Sequence, residues 1–328
     1  MSQRTALITG IAGQDGRLLA EYLFKLDYQI IGVGRPGKAP EKVKQQTPVQ
    51  IDTADLADPA SCRKLIETWQ PDEIYHLAAA HHSSQENTAG VTGSRKLAML
   101  TTNFATTQNL ALAMLATGSP AHLVFAASSQ MYTASHNEHE IAEDSPRNPG
   151  TFYGHTKSWS ANFLAFMRSE CGLRASTAIL FNHESALRSE QFVTRKISRA
   201  AAAAKKGSSV KLGLQNIGAR VDWSNARDVV HALHLLTADT TGHDCVVASG
   251  TLHSVRDLLY ASFACVNLDW HDYVEFQTDQ VTPALIGQAR KIRQMLGWRP
   301  EHSFLDTVAE MVEHDLAQIE SGHSSATA

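Results

Sequence analysis

Three glycines spaced three residues apart constrain the fold of this chain more than any other feature. The apolar run at residues 6–9 predicts a strand, and Gly10, Gly13 and Gly16 lie where that strand would turn into a helix. A tight turn of this kind lets backbone N–H groups approach a pyrophosphate, and the N-terminus of the helix adds partial positive charge. The turn therefore predicts the first strand–helix unit of a parallel sheet that binds a dinucleotide.

The N-terminal half continues to alternate between short β-rich runs and helical stretches. Further strands are predicted at residues 29–33, 49–51, 73–77 and 122–126, with helices at residues 17–26, 59–69 and 102–117. Because such units connect with a right-handed crossover, the pattern predicts an α/β fold of the Rossmann type with a doubly wound parallel sheet.

Beyond residue 182 this alternation gives way to helices separated by loops, with short strands around residues 210–223. Helices are predicted near residues 192–206, 225–236, 285–296 and 304–319, and residues 246–248 predict a strand that returns to the sheet. We therefore expect a Rossmann domain at residues 1–182 with returning segments near 225–250, a smaller C-terminal lobe at residues 183–320, and a disordered tail at residues 321–328.

Composition argues against several classes of function. The chain has 328 residues, with 29 Lys and Arg against 33 Asp and Glu, so its net charge of −4 provides no basic surface for nucleic acid or an anionic membrane. No apolar run approaches the ~20 residues needed to span a bilayer, and the chain enters its first strand without a secretory leader. Four widely spaced cysteines without a CxxC pair are typical of reduced thiols, so we expect a cytoplasmic protein.

A tyrosine and a lysine, Tyr153 and Lys157, lie four residues apart on a predicted helix, so their side chains share one face. An ammonium near a phenol lowers its pKa and can bind the ribose of a nicotinamide nucleotide. A tyrosinate can then accept the proton of an alcohol as hydride leaves. Ser128, at the end of a predicted strand upstream, would supply a hydroxyl that holds the substrate oxygen.

The residues after the second strand indicate which nicotinamide cofactor to expect. NAD enzymes commonly carry Asp or Glu there for the ribose 2′-hydroxyl, whereas this chain has Gly-Arg-Pro-Gly-Lys at residues 34–38. A cation at this position suits a 2′-phosphate, so we expect NADP, with NAD as the alternative. Asp55 can meet the adenine amino group, or serve as a turn or helix-capping residue. The expected cofactor-binding residues are Gly10, Gly13, Gln14, Asp15, Gly16, Arg35, Asp55, Leu56, Leu77, Tyr153 and Lys157.

Two strings in the second half of the chain are long enough to indicate a family. They are Phe-Asn-His-Glu-Ser at residues 181–185 and Phe-Val-Thr-Arg-Lys-Ile-Ser-Arg at residues 192–199. With residues 6–16, 222–223, 253–256 and 296–300, they resemble the extended short-chain dehydrogenases and, within them, most closely the GDP-mannose 4,6-dehydratase family. The resemblance covers nearly the whole chain and implies an NADP-bound fold whose C-terminal lobe grips the GDP part of a sugar nucleotide.

By position, this resemblance implies roles for several side chains of the C-terminal lobe. Asn182 would orient the diphosphate or the sugar, and Arg188 would contact ribose or phosphate. Lys196 and the backbone of Val193 would meet guanine, whereas the alternative for Arg195 and Lys196 is a solvated helix face. The expected substrate-binding residues are His82, Asn182, Glu184, Arg188, Val193, Lys196 and Arg220.

The chain departs from the family pattern at Gln130. In the family this residue, two before the first tyrosine of the motif, is a glutamate that removes the C5 proton of the sugar. A positioned base contributes ~10²–10⁴-fold to such a proton transfer, and a carboxamide has no usable basicity. Related enzymes have a cysteine here for C3/C5 epimerisation, or a threonine where C4 alone is oxidised and reduced again. Glutamine fits the last chemistry best.

Other departures lie around the expected substrate site. Where the family has a threonine, this chain has Ser128. Where the family has an arginine before Asp-Trp, this chain has Val221, with Arg220 one residue earlier. The Arg-Pro of the family is replaced by Gln-Thr at residues 277–278. The Gln-Ser-His of the family after the fourth strand is Ala-His-His at residues 80–82. His81 and His82 are candidates for a substitute base or for neutral hydrogen-bonding residues.

The sequence therefore predicts an NADP-dependent enzyme that acts at C4 of a GDP-linked hexose or heptose, by oxidation, reduction of a 4-keto sugar or epimerisation. The alternatives are a GDP-mannose or GDP-heptose 4,6-dehydratase with a relocated base, and a non-catalytic subunit that binds NADP and a GDP-sugar. We expect a homodimer or homotetramer without a nucleic-acid or membrane partner. We expect no metal, because the His and Glu residues at 136–140 lack the HExxH helix of a zinc site. The expected catalytic residues are Ser128, Gln130, Tyr153 and Lys157.

Overall fold

The computed structural model describes residues 3–37, 47–80, 92–134, 139–239 and 241–321, and a seven-stranded parallel sheet lies at the centre of this part of the protein. Its strands are β1 (Thr5–Thr9), β2 (Gln29–Gly34), β3 (Gln50–Thr53), β4 (Glu73–His76), β5 (His122–Ala126), β7 (Ala175–Leu180) and β11 (Asp244–Val247). Smaller sheets contain β6 (His139–Ile141), β8 (Asn182–Glu184), β9 (Leu212–Asn216), β10 (Arg220–Asn225), β12 (Leu252–Ser254), β13 (Val274–Thr278) and β14 (Leu285–Gly287).

The helices connect these strands and cover the large sheet. They are α1 (Gln14–Lys25), α2 (Pro59–Trp69), α3 (Gly93–Leu100), α4 (Thr106–Thr117), α5 (Phe152–Cys171), α6 (Val193–Lys205), α7 (Ala226–Leu235), α8 (Val255–Ala264), α9 (Arg290–Leu296) and α10 (Phe304–Glu320). A π-helical turn at Thr101–Ala105 joins α3 to α4, and a short 3₁₀ turn at Ser129–Met131 follows β5.

The strand order of the large sheet determines where a ligand can lie. The order is β11-β7-β5-β4-β1-β2-β3, and all neighbours are parallel. The chain runs outward from β1 to β3 and then returns to β4 on the other side of β1, so the order reverses between β1 and β4. In doubly wound folds this reversal opens a crevice at the carboxyl ends of the strands. The predicted α/β class with a doubly wound parallel sheet is confirmed.

Two apolar layers cover the faces of this sheet. Along β1, Ala6 and Ile8 pack into one layer with Leu19 of α1, and Leu7 packs into the other with Leu110 of α4. Because helices cover both faces, the central strands are continuous apolar runs rather than alternating ones. A third apolar cluster lies among α6, α8 and α10 in the C-terminal half.

Several local predictions are confirmed or corrected. The returning strand is confirmed, because β11 pairs with β7 at the edge of the large sheet. The helix predicted from residue 285 was wrong at its start: Leu285–Gly287 is a strand paired with β6, and the helix begins at Arg290. The helix predicted from residue 102 begins nine residues earlier, at Gly93, and the π-helical turn interrupts it. Within the described residues no helix has both the length and the apolar character needed to cross a bilayer.

Candidate active site

The glycine turn after β1 packs closely against neighbouring backbone at Gly10 and Gly16. Gly10 has φ +73°, and a Cβ there would lie 2.8 Å from the backbone nitrogen of Ala78, which follows β4. A Cβ on Gly16 would lie 2.7 Å from the Cα of Ile11, so this glycine lets α1 pack against the turn. Gly13 precedes the first residue of α1 and carries no side chain that could cover the helix N-terminus.

A cavity of about 830 Å³ lies over the carboxyl ends of β1 to β4. Its walls come from the glycine turn, the end of β2, the segment after β3, the segment after β4 and one side of α3 and the π-helical turn. Six of the residues predicted to bind a cofactor line it: Gly10, Gly13, Arg35, Asp55, Leu56 and Leu77. Asp55 also accepts a hydrogen bond from the backbone N–H of Ala57 at 3.0 Å, which is the turn role left open by the sequence.

Ser128, Tyr153 and Lys157 come together at the end of β5. Ser128 follows the strand in an extended conformation, and its hydroxyl lies close enough to the Tyr153 phenol to lower the pKa of that phenol. Lys157 lies one turn further along α5, where its Nζ donates to the carbonyl oxygen of Ala126 at 2.6 Å and lies 4.7 Å from the centre of the Phe125 ring. Three of the four side chains predicted to be catalytic therefore form one group, which lies outside the lining of the large cavity.

The electrostatics of this group differ from the expectation that Lys157 lowers the phenol pKa. Burial raises the pKa of Tyr153 to about 12, and the hydrogen bond with Ser128 and the positive charge of Arg188 act against this rise. Burial lowers the pKa of Lys157 to about 7, although the Asp15 carboxylate opposes that change. In the protein without ligands, Arg188 is therefore the cation that favours the tyrosinate.

Gln130 lies beside this group and contacts the start of α5. Its backbone N–H donates to the Ser128 hydroxyl at 3.2 Å, and its side-chain oxygen Oε1 accepts from the Thr151 hydroxyl at 3.2 Å. A methyl group on Gly154 would overlap the Gln130 carbonyl oxygen. The sequence-based reasoning missed Thr151 and Gly154. Glycine has poor helix propensity, so a glycine directly after the tyrosine was the available signal for a close backbone contact.

Asp15 and Gln14 contact β8 and the residue after it rather than the large cavity. Asp15 accepts from His183 at 3.0 Å, and the other ring nitrogen of His183 lies 2.7 Å from the Phe181 carbonyl oxygen. Burial opposes both charges, but their mutual attraction lowers the pKa of Asp15 to about 2 and raises that of His183. Gln14 donates to the His183 carbonyl oxygen at 3.1 Å and accepts from Ser185 at 2.8 Å. The sequence-based reasoning did not include His183 among the site residues.

The residues predicted to bind substrate in the C-terminal half occupy different environments. Glu184 is buried, forms an ion pair with Arg188 at 3.3 Å and accepts from Thr194 at 2.7 Å. The Arg188 guanidinium lies 3.7 Å from the centre of the Phe192 ring. Asn182 is exposed at the start of β8, and the side chains of Val193, Lys196 and Arg220 are partly exposed. His81 and His82 lie outside the described residues.

A solvated helix face was the alternative interpretation of Arg195 and Lys196, and the structure rules it out for Arg195. It is 5% exposed and forms an ion pair with Asp315 of α10 at 2.6 Å. A buried charge of this kind must be paired, so Arg195 fixes α6 against α10.

The described residues contain no cluster of three or more potential metal ligands. His139 and Glu140 are exposed on β6, and the rest of the candidate cluster, His136 and Glu138, lies outside the described residues. The four cysteines are free thiols; Cys62 and Cys245 are buried.

Comparison with known proteins gives one consistent result. A model of the family described as GDP-mannose 4,6 dehydratase matches residues 7–311, a span that includes every site residue named above. The chain is 34% identical over 335 residues to GDP-mannose 4,6 dehydratase 2 of Arabidopsis thaliana, across 96% of this chain and 87% of that protein. It is 30% identical over 351 residues to GDP-mannose 4,6 dehydratase of Homo sapiens, across 96% of this chain and 92% of that protein.

Two solved structures share its fold. RMD from Pseudomonas aeruginosa, complexed with NADPH, is similar with a TM-score of 0.77 and 20% identity, across 96% of this chain and 100% of that one. UDP-glucose 4-epimerase from Thermotoga maritima, with UDP-glucose, is similar with a TM-score of 0.81 and 18% identity, across 96% of this chain and 99% of that one.

Proposed function

Because the chain belongs to the GDP-mannose 4,6 dehydratase family, we propose that it is an NADP-dependent enzyme that acts at C4 of a GDP-linked hexose or heptose. The reaction is oxidation of C4, reduction of a 4-keto sugar, or epimerisation at C4. The observation that carries this proposal is the group formed by Ser128, Tyr153 and Lys157 with a carboxamide, Gln130, beside it.

The large cavity fits a dinucleotide. Its volume of about 830 Å³ lies within the range of ~300–1,000 Å³ typical of ligand sites. A side chain on Gly10 would collide with the backbone after β4, so this glycine keeps the turn close to that strand. Arg35 lines the cavity after β2, and no carboxylate occurs in the segment 34–37. This arrangement supports a 2′-phosphate on the adenosine ribose, held by Arg35, and therefore NADP rather than NAD.

The reactive end would lie at the carboxyl end of β5. When bound, the nicotinamide nucleotide would accept or donate the hydride at the sugar carbon. Ser128 would hold the C4 oxygen by a hydrogen bond, and the Tyr153 phenol would exchange a proton with the same oxygen. Lys157 would hold the ribose of the cofactor by donating hydrogen bonds to its hydroxyl groups, and these bonds would favour the protonated amine that burial disfavours in the free protein.

Gln130 determines which reaction can follow once C4 is a ketone. Loss of water across C5–C6 requires a base that removes the C5 proton, and a carboxamide cannot accept that proton. A sugar oxidised at C4 would keep its C5 hydrogen and be released or reduced again. This argument supports chemistry confined to C4.

The C-terminal lobe would hold the GDP part of the substrate. We assign this role mainly to residues 183–320, with contributions from Asn182, Arg188, Val193 and Lys196. Arg188 supports the assignment, because its charge acts on the Tyr153 phenol while Glu184 and Phe192 hold the guanidinium in place.

Incubation with a panel of GDP-hexoses and GDP-heptoses and both nicotinamide cofactors tests this function. We expect a product that has lost or gained two hydrogen atoms, or an isomer at C4, and mass spectrometry with NMR of the sugar distinguishes them. A product that has lost one water molecule at a normal enzymatic rate would overturn the restriction to C4. Absence of turnover despite binding of both ligands would favour the non-catalytic alternative.

A further inference from the structure

Thr151 connects the helix that carries Tyr153 and Lys157 to the side chain of Gln130. It is the residue before α5, and its hydroxyl accepts a hydrogen bond from the Gly154 backbone N–H at 3.0 Å, which caps the helix. The same hydroxyl lies 3.2 Å from Oε1 of Gln130. One side chain therefore touches both the start of α5 and Gln130, a residue at which the chain departs from the family pattern.

The polarity of this contact follows from the donors and acceptors present. A threonine hydroxyl has one proton and two lone pairs. The Gly154 N–H can only donate, so it occupies a lone pair, and the hydroxyl proton remains for the Gln130 oxygen. Thr151 therefore favours the orientation of the Gln130 carboxamide in which Oε1 faces Thr151 and Nε2 points away from it.

We propose that Thr151 is a positioning residue that orients Gln130 so that its carboxamide N–H donates to an oxygen of the bound sugar. Gln130 then acts as a hydrogen-bond donor that selects and orients the sugar, in place of a base. This inference rests on the proposed function, because it assigns the recognition of a sugar oxygen to the same site. The proposal gives Thr151 no contact of its own with sugar or cofactor.

A purely structural role for Thr151 as a helix cap makes a different prediction from the positioning role. Substitution of Thr151 by aspartate distinguishes these two roles. Serine, threonine and aspartate are all preferred caps, so T151S and T151D should both keep α5 capped and keep the melting temperature of the parent protein. Serine keeps the proton that is donated to Gln130, whereas an aspartate carboxylate can only accept. T151D would therefore turn the carboxamide, with Nε2 toward residue 151 and Oε1 toward the sugar.

The kinetic test compares these variants with the substrate and cofactor that the parent protein turns over. We expect T151S to match the parent, and T151D to lose about tenfold or more in kcat/KM, as for loss of a hydrogen bond with its partner left unpaired. In a Q130A background the same T151D change should have less than about a twofold effect, because no carboxamide remains to be turned. Equal kinetics of T151S and T151D, or an undiminished T151D effect in Q130A, would overturn the proposal.

A spectroscopic readout keeps this inference separate from the proposed function. The side-chain ¹⁵N–¹H signals of Gln130 can be assigned in the free protein by their absence in Q130A. In T151D one of the two carboxamide hydrogens should gain a carboxylate acceptor and shift downfield, while T151S should reproduce the parent spectrum. Unchanged Gln130 signals in folded T151D would overturn the positioning role, whether or not any GDP-sugar is a substrate. Failure of all GDP-sugars to react, with the shift observed, would instead overturn the proposed function alone.

Discussion

Gly154 lies directly against the backbone carbonyl of Gln130, so closely that a methyl group at residue 154 would overlap that oxygen. This contact brings the N-terminus of α5, with Tyr153, to the 3₁₀ turn after β5, where Ser128 acts to lower the pKa of the Tyr153 phenol. The start of α5 can therefore approach the 3₁₀ turn this closely only because residue 154 has no side chain.

We predict that Gly154→Ala moves the start of α5 away from Gln130 and lowers both activity and stability. Overpacking against backbone that cannot turn away costs roughly 1–3 kcal/mol of unfolding free energy. Denaturant unfolding and steady-state kinetics measure the two effects. Gly93→Ala is the matched control, because a methyl group at the start of α3 would meet open space. Equal stability and activity of the two variants would show that the 154–130 contact has no importance.

The contrast between the glycine turn and Gly154 shows what the sequence can and cannot predict. Gly10, Gly13 and Gly16 were informative because their spacing, the preceding strand and the following helix are all local. The importance of Gly154 depends on Gln130, in another segment, and on how closely the two pack, which no local pattern records. The burial of Arg195 was not predicted for the same reason, since its partner Asp315 lies 120 residues away in sequence.

The fold class was predictable because each strand and helix of the large sheet has its own apolar pattern. The group of Ser128, Tyr153 and Lys157 was predictable from helical spacing and from position at a strand end. Its electrostatics were not, since burial changes the pKa values of both Lys157 and Tyr153, and the cation that opposes the rise for Tyr153, Arg188, comes from a later part of the chain.

Lys157→Met should abolish turnover and stabilise the protein near neutral pH. Burial of an ammonium is costly, and an apolar side chain of similar size at the same place removes this cost. Burial lowers the folded-state pKa of Lys157 from 10.5 to about 7, so between these values the unfolded chain binds more protons than the folded protein. The parent protein therefore gains stability as pH rises through this window.

The advantage of Lys157→Met over the parent should accordingly shrink as pH rises from about 7 toward 10. Urea unfolding of both proteins across that range measures it. An advantage that stays constant or grows with pH would contradict the assigned burial of the lysine charge.

Arg35→Ala should weaken NADP binding by ~1.5–3 kcal/mol, the range for a hydrogen bond to a charged group, and leave NAD binding nearly unchanged. Isothermal titration calorimetry with both cofactors measures the difference. Arg63→Ala, which removes an exposed arginine on α2, is the control for nonspecific loss of positive charge. A parent protein that prefers NAD would refute the assignment of Arg35 to a 2′-phosphate.

Tyr153→Phe should remove turnover while cofactor and sugar-nucleotide affinities stay within about twofold of the parent, because the phenol proton is needed only during chemistry. Calorimetry and single-turnover absorbance at the nicotinamide band measure binding and reaction separately. Tyr260→Phe, an exposed tyrosine on α8, is the matched control and should leave both unchanged. Retained turnover in the Tyr153 variant would show that another group transfers the proton.

The last prediction concerns the C5 hydrogen of the sugar. In deuterated water the parent protein should leave this hydrogen unexchanged while hydride still moves at C4, because Gln130 cannot act as a base. Gln130→Glu nearly conserves the side-chain volume, and the Thr151 hydroxyl that now donates to the carboxamide oxygen would donate to the new carboxylate.

This variant should therefore begin to exchange the C5 hydrogen and form some 6-deoxy-4-keto sugar, since a positioned base contributes ~10²–10⁴-fold to proton removal. The rate should stay below that of a natural dehydratase, because the other departures around the site remain. Gln318→Glu, on the exposed side of α10, is the control for added negative charge. NMR of the sugar after incubation in deuterated water follows both events. Rapid C5 exchange by the parent protein would mean that a different residue is the base, and His81 and His82 would then be the first positions to mutate.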